Sequence, residues 1–491
     1  MNGFTTSNIG AQNAPAWWLT LVLATACCCA AGMGCASADE TFEIPTTTAV
    51  FSSYPLPTLQ TISAPKQQRF NYYLQSTDTQ QYHGAFRAEY SGPQSIAPQA
   101  DTAKTVDATL FAGARIGSDT AVYVNAEFDQ GFGLGTPPDD KGDDYSGTYG
   151  AAGFPSAESY KVGSDHMYSR VQRAFVRQTL NFGGDRRAID PDANQLGGSA
   201  ASQNLVLTVG KFGVTDVFDG NVYAHDPKND FLNWSIVDSG AFDYPADAWG
   251  YTSGASAELN RGKSTLRAGL FQLSTAPNDV AIEHIPLRQF GSVLEFEQRT
   301  AFFGNHPGAL KELVYADDGY MGSYADAMTL GEATAALPST ALVRADRHLK
   351  FGAALNVAQE VARHLGVFAR LSAMNGTYEA YDFTEIDRSA AAGVSIDGGL
   401  YQRPNDTLGI ACSLNGLSVP AQRYFAAGGT GLLLGDGSLS YGGEQVLEAF
   451  YRVGFSKSIG FTFDYQHLTN PGYNLVRGPI SIFGLRYHVQ I

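Results

Sequence analysis

Ser481, Phe483, Leu485, Tyr487, Val489 and Ile491 alternate with Ile480, Ile482, Gly484, Arg486, His488 and Gln490, so a strand here has one nearly all-apolar face and one that turns polar. The same period-two pattern recurs along the chain. Leu447, Ala449, Tyr451, Val453 and Phe455 oppose Glu448 and Arg452, and Ile459, Phe461, Phe463 and Tyr465 oppose Thr462, Asp464 and Gln466. Further upstream, Val122, Val124, Ala126 and Phe128 oppose Tyr123, Asn125 and Glu127, and Leu365, Val367, Ala369, Leu371 and Ala373 oppose Phe368, Arg370 and Ser372. Charges fall on one face each time. Clusters of Gly, Asp, Asn and Pro separate the runs, and no stretch carries a convincing helical period.

Alternation alone also fits a soluble sandwich, in which the polar face meets bulk water. Three details favour a closed barrel in a membrane. The 25 Tyr and 29 Phe recur near strand ends, where aromatic girdles meet the membrane interfaces. Arg and Glu recur in mid-strand, which suits a wet lumen, and the sequence closes on a strand, as barrel closure requires. The mean hydropathy of −0.15 is too polar for a bundle of membrane-crossing helices, whereas a wall whose lipid and lumen faces alternate hides its apolar signal. The expectation is an all-β fold, a transmembrane antiparallel β-barrel over residues 69–491, with about sixteen strands of about ten residues each.

The long apolar run from Trp17 to Ala31, followed by Ala36-Ser37-Ala38, reads as a cleaved signal peptide over residues 1–38. An N-terminal anchor is the alternative, but a span needs about twenty apolar residues. Residues 39–68, with Pro45, Pro55, Pro57 and Pro65 among Thr and Ser, read as a flexible segment. Cys27, Cys28, Cys29 and Cys35 fall in the leader, which leaves Cys412 alone and excludes an internal disulfide in the mature chain. The leader holds no charged side chain, so the mature chain keeps the formal charge of −16. Such a surface repels nucleic acid. Inside a pore the same excess favours cations or neutral solutes.

The HExxH, CxxC, GxSxG and phosphate-binding GxxxxGK[ST] motifs are all absent, which argues against an enzyme and against a cofactor. A barrel hydrolase of the outer-membrane phospholipase kind would need a Ser–His pair, and no such pair stands out. Asp139-Asp140-Lys141-Gly142-Asp143-Asp144 could bind a hard cation, but a solvated external loop is the simpler reading.

Chemistry concentrates between residues 210 and 259. Asp216, Asp219, Asp226, Asp230, Asp238, Asp243 and Asp247, with His225 and Lys228, are interleaved with Phe218, Tyr223, Phe231, Trp234, Tyr244 and Trp249. Aromatic faces beside carboxylates suit sugars, whose C–H faces stack on rings while their hydroxyls donate to oxygen acceptors. Alternatively, His225, Asp226 and Asp230 supply the donors a divalent ion such as Mn²⁺ prefers. A folded loop whose aspartates cap turns and whose aromatics pack internally would show the same composition. In the wall, Arg173 and Arg177 share a face, as do Glu295, Glu297 and Arg299. Facing lipid, each would cost about 2–4 kcal/mol near the midplane, so they are expected in the lumen.

These residues also carry a resemblance. Gly210-Lys211-Phe212, then Asp216-Val217-Phe218-Asp219-Gly220-Asn221, His225-Asp226-Pro227, Phe231-Leu232-Asn233-Trp234 and the run from Gly240 to Tyr251 resemble the carbohydrate-selective porin (OprB-type) family. So do Glu379 to Arg388, Arg403-Pro404-Asn405-Asp406 and Asp464-Tyr465-Gln466-His467. The resemblance implies one barrel of about sixteen strands in a Gram-negative outer membrane, passing sugars by facilitated diffusion. It implies outer-membrane lipid and the barrel-assembly machinery as partners, with a homotrimer or a monomer as the working unit. Among pore-lining candidates it adds Asn221 and Asp464 to those above. Gln80-Gln81-Tyr82-His83-Gly84-Ala85-Phe86 with Tyr90-Ser91-Gly92-Pro93 resembles a branch to which manganese passage is attributed, so an Mn²⁺-selective pore is the alternative.

Overall fold

The structure, a computed structural model, describes residues 67–135, 148–159 and 162–491. The expected signal peptide, nearly all of the Thr/Ser/Pro-rich segment and the Asp139–Asp144 cluster lie outside the described residues.

Period-two alternation becomes sixteen strands. They are β1 (Phe70–His83), β2 (Asp101–Arg115), β3 (Thr120–Phe132), β4 (Ser164–Ile189), β5 (Gly198–Phe212), β6 (Thr252–Arg261), β7 (Ser264–Gln272) and β8 (Phe290–Thr300). The second half comprises β9 (Gly308–Tyr320), β10 (Arg347–Ala362), β11 (Leu365–Met374), β12 (Arg388–Asp397), β13 (Thr407–Gly416), β14 (Glu444–Gly454), β15 (Ile459–Thr469) and β16 (Ile480–Gln490). Each strand pairs antiparallel with its sequence neighbours, and β1 closes on β16 with Gln75 opposite Gln490 and His83 opposite Ile482. Closure leaves no edge strand with unpaired backbone groups, the condition for crossing a bilayer with strands.

Side-chain direction follows the alternation. Leu447, Phe463 and Phe483 point outward and are 45%, 53% and 55% exposed, while Glu448 and Arg486 on the opposite face are fully buried. Lipid thus meets aliphatic and aromatic groups, and every mid-strand charge singled out above turns into the barrel. Short connections such as 262–263 and 363–364 lie at one end of the barrel, and long loops such as 213–251, 321–346 and 417–443 lie at the other.

The sequence pattern did not anticipate helices, yet three short α-helices occur among the described residues: α1 (Trp234–Val237), α2 (Tyr324–Thr334) and α3 (Val419–Ala426). All three are loop elements started by side-chain caps: Asn233, Ser323 and Ser418 accept backbone N–H groups of Ser235, Asp326 and Ala421. Tyr324 of α2 packs on Tyr424 and Phe425 of α3 rather than along a continuous apolar stripe, which is why helical periodicity is weak.

The lumen is not an open tube. The 213–251 loop folds into it, and its apolar residues Val214, Phe218, Trp234, Phe242 and Tyr244 join wall residues Phe212, Phe271 and Tyr315 in one core. Phe154, Trp234, Phe383 and Tyr244 form a ring stack with successive centroids 5.1, 5.0 and 4.4 Å apart.

Candidate functional site: the lumenal neck

Polar wall side chains hold the 213–251 loop by its backbone. Glu448 on β14 accepts the N–H groups of Leu232 and Asn233 at 2.5 and 3.0 Å. Glu295 on β8 accepts Asp219 N–H at 2.7 Å, Arg370 on β11 donates to the Ile236 carbonyl at 2.7 Å, and Arg486 on β16 donates to the Asp230 carbonyl at 2.7 Å. Asp219 accepts Ser239 N–H at 2.6 Å and Asn356 Nδ2 at 2.8 Å, and Asn221 donates to Asn356 Oδ1 at 2.6 Å. Apart from the Ser239–Asp219 bond inside the loop, each of these contacts satisfies a buried polar group of the loop with a strand residue fixed in the wall.

Two lumenal cavities flank the held loop. One lies on the short-turn side and is bordered by Arg177, Glu258, Arg267, Lys311 and Asn221. The other is bordered by Glu127, Arg173, Lys228, Trp234, Trp249 and Tyr251. Thr215, Asp216 and His225 border both, so the two cavities adjoin across these three residues, which form a neck between them. Asp216 is gripped by Arg173 through two charge-assisted hydrogen bonds of 2.7 Å, and the Arg173 guanidinium lies 4.8 Å from the Tyr251 ring centre. Beside them Arg170 covers the Trp249 ring at 3.1 Å, and Lys211 reaches Asp247 at 3.3 Å. Lys228 bridges Asp107 and Glu158 at 2.8 Å each. The neck region therefore presents paired charges of both signs beside aromatic rings.

The expected site residues divide by position. Arg173, Arg177, Asp216, Asn221, Asp226, Trp234 and Trp249 border one or both cavities, although Trp234 offers only its edge because Phe154 and Phe383 cover its faces. Asp219, Asp230, Asp243, Asp247, Glu295, Glu297, Arg299 and Asp464 border neither of these two cavities. They face inward but are occupied elsewhere: Glu295 and Glu297 pair with Arg267 at 2.7 and 2.8 Å, Arg299 approaches Glu297 at 3.7 Å, and Asp464 accepts Gln466 Nε2 at 3.0 Å.

His225, Asp226 and Asp230 do not converge as a metal ligand set. Both His225 ring nitrogens face oxygens, of Thr215 at 3.1 Å and Asp238 at 3.2 Å. Burial would lower the His225 pKa, but the Asp238 carboxylate raises it above the ordinary value and favours imidazolium over a metal-binding neutral ring. Asp226 is engaged by Lys228 N–H and Asn229 Nδ2 at 2.9 and 2.8 Å. Among the described residues no group of three or more His, Cys, Asp or Glu is arranged to hold a metal ion. Sequence reading did not single out Arg267, Lys311, Glu258 or Glu158. Arg267 and Glu258 were detectable as mid-strand charges on polar strand faces.

A closed sixteen-stranded antiparallel barrel with an apolar outer belt, short turns at one end and a loop folded into its lumen is the architecture of a Gram-negative outer-membrane porin. The model of the carbohydrate-selective porin, OprB family, matches residues 93–491, and the chain belongs to that family. Porin AaxA of Chlamydia pneumoniae is 22% identical over 333 residues, 61% of this chain and 64% of that protein. Porin AaxA of Chlamydia abortus is 22% identical over 292 residues, 57% of this chain and 53% of that protein. The chain thus spans less than two thirds of these relatives' lengths. In structure, the high-pH form of Pseudomonas putida OprB covers 86% of this chain and 94% of its own, with a TM-score of 0.62 at 12% identity, and shares the fold.

Proposed function

We propose that the protein passes small carbohydrates through its lumen by facilitated diffusion, without turnover chemistry and without a cofactor. The observation that carries this reading is that two lumenal cavities, one ring-lined and one charge-paired, adjoin across Thr215, Asp216 and His225. A sugar crossing the neck exchanges water for stacking on Trp249 and Tyr251, and its hydroxyls donate to carboxylates or accept from guanidinium groups. Arg173 and Asp216 neutralise each other, so a neutral polar solute meets oriented dipoles rather than a net charge. Weak contacts at several positions suit flux, because a tight site would hold the solute.

The test is single-channel recording of the purified protein in planar bilayers, titrated with glucose and maltose and then with Mn²⁺. Block by sugar at millimolar concentrations supports the reading. Block by Mn²⁺ with sugar inert would transfer the function to divalent ions, and folded protein that forms no channel would overturn passage altogether.

A further inference from the structure

The β4–β5 hairpin is built unlike the other connections at its end of the barrel. β4 runs for 26 residues, and its pairing with β5 shifts register between Asn181, Gly183 and Arg186. Gly184 has a φ of +79°, a conformation that disfavours a side chain, and a Cβ there would come within 2.3 Å of Ser202 Oγ. Beyond this bend the hairpin continues through Ile189 opposite Gly198 and closes where Asp192 and Gln195 exchange backbone hydrogen bonds of 2.9 and 3.0 Å.

The tip points into the barrel. Its partners are lumen-facing wall side chains: Asn71 of β1 donates to the Asp192 and Gln195 carbonyls at 3.0 and 2.8 Å, and Asn125 of β3 donates to Asn194 Oδ1 at 2.9 Å. Tyr123 Oη accepts Leu196 N–H at 3.2 Å. Arg177 of the same hairpin donates back to the Asn194 carbonyl at 2.9 Å, which a hairpin extending straight into the aqueous phase could not allow. Ala193, Asn194 and Leu196 are buried, whereas Gln195 is half-buried and borders the short-turn cavity together with Arg177, Asp216 and His225.

We propose that this inward tip is a second selectivity filter on the short-turn side of the neck, where the Gln195 side chain meets each passing polyhydroxylated solute. The inference rests on the passage reading above and locates a second contact point on that route. The Gln195 amide Nε2 donates to the Asp190 carbonyl at 2.8 Å, which orients the group and leaves Oε1 to accept from solute hydroxyls. Held by four side chains, the tip narrows the exit without a net charge of its own at Gln195, which selects for neutral polar solutes by fit and hydrogen bonding.

The test places one thiol at the tip. In a Cys412→Ser background, Gln195→Cys is labelled with a bulky cationic methanethiosulfonate reagent while single channels are recorded. The expected result is a stepwise loss of conductance on labelling and weakened maltose block, with no change in unsubstituted Cys412→Ser channels. A second variant, Asn71→Ala with Asn125→Ala, keeps the chain length but loosens the tip and should raise conductance. Channels that open normally, carry the label by mass and keep the conductance and sugar block of the unlabelled protein would overturn the filter while leaving passage intact. Folded protein without channels would overturn both.

Discussion

Lys350 on β10 and Asp243 in the lumenal loop face each other at 2.9 Å with neither side chain reaching solvent. Asp243 also accepts the N–H groups of Tyr381, Asp382 and Phe383 at 2.6, 3.0 and 2.9 Å, so one carboxylate joins two loops and the wall. Burial alone would raise its pKa, but the Lys350 ammonium and these donors hold it below the usual carboxylate range.

Lys350→Met should therefore leave a buried charge half compensated, at a cost of about 3–5 kcal/mol. The expected readout is a lower temperature for the folded-to-unfolded band shift on gels, with noisier open channels. Adding Asp243→Leu should not restore stability, because three backbone donors then lose their acceptor; full recovery in the double variant would contradict this account. A depressed carboxylate contributes stability above its unfolded pKa and loses it on acidification. The wild-type advantage over Lys350→Met should accordingly hold at neutral pH and shrink as pH falls below about 3.9.

Arg173 and Asp216 set the charge balance of the neck. Arg173→Ala should raise cation over anion permeability and Asp216→Ala should lower it, read as opposite shifts of reversal potential in a KCl gradient. Shifts of the same sign would show that the pair lies off the ion path. Both shifts should grow at low ionic strength, where screening is weaker.

The two tryptophans should separate by assay. Trp249 borders the outer cavity under Arg170, and Trp249→Ala should weaken sugar block by about 0.5–1.5 kcal/mol, roughly two- to tenfold in blocking concentration, with folding little changed. Trp234 is sandwiched between Phe154 and Phe383, so Trp234→Ala should cost about 3–5 kcal/mol of stability. Equal thermal shifts in both variants would erase the distinction.

Arg267 sits among Glu258, Glu295 and Glu297 at 2.7–3.0 Å. Arg267→Met should uncover these carboxylates at the short-turn cavity and increase cation selectivity, with a smaller change in Arg267→Lys. Unchanged reversal potential in Arg267→Met would mean that Lys311 and Arg299 suffice to neutralise them.

The wall was legible because a strand such as β16 writes its two environments into neighbouring residues, Phe483 and Leu485 outside, Arg486 and His488 inside. The 213–251 region was legible as chemistry but not as geometry. Asp219 and Trp249 look alike in sequence as members of one acidic, aromatic stretch. Only the distant partners Arg370 and Asn356 turn Asp219 into an anchor, while Arg170 leaves Trp249 at the cavity edge. The inward hairpin tip was not legible, since its bend comes from Gly183 and Gly184 and its direction from Asn71, Tyr123 and Asn125 far away in sequence. Likewise α2 carried no periodic signal, because its packing is local to one partner helix.

The lumenal loop is tied at points spread around the wall, through Glu295, Lys350, Arg370, Glu448 and Arg486. It works like spokes on a rim: a lateral squeeze on the cylinder is borne across its diameter, and the hub cannot move without the rim. The position of the neck residues Thr215, Asp216 and His225 is therefore set by the circumference of the wall as much as by the loop. Adding or removing one pair of strands would re-space these residues even with every loop residue unchanged.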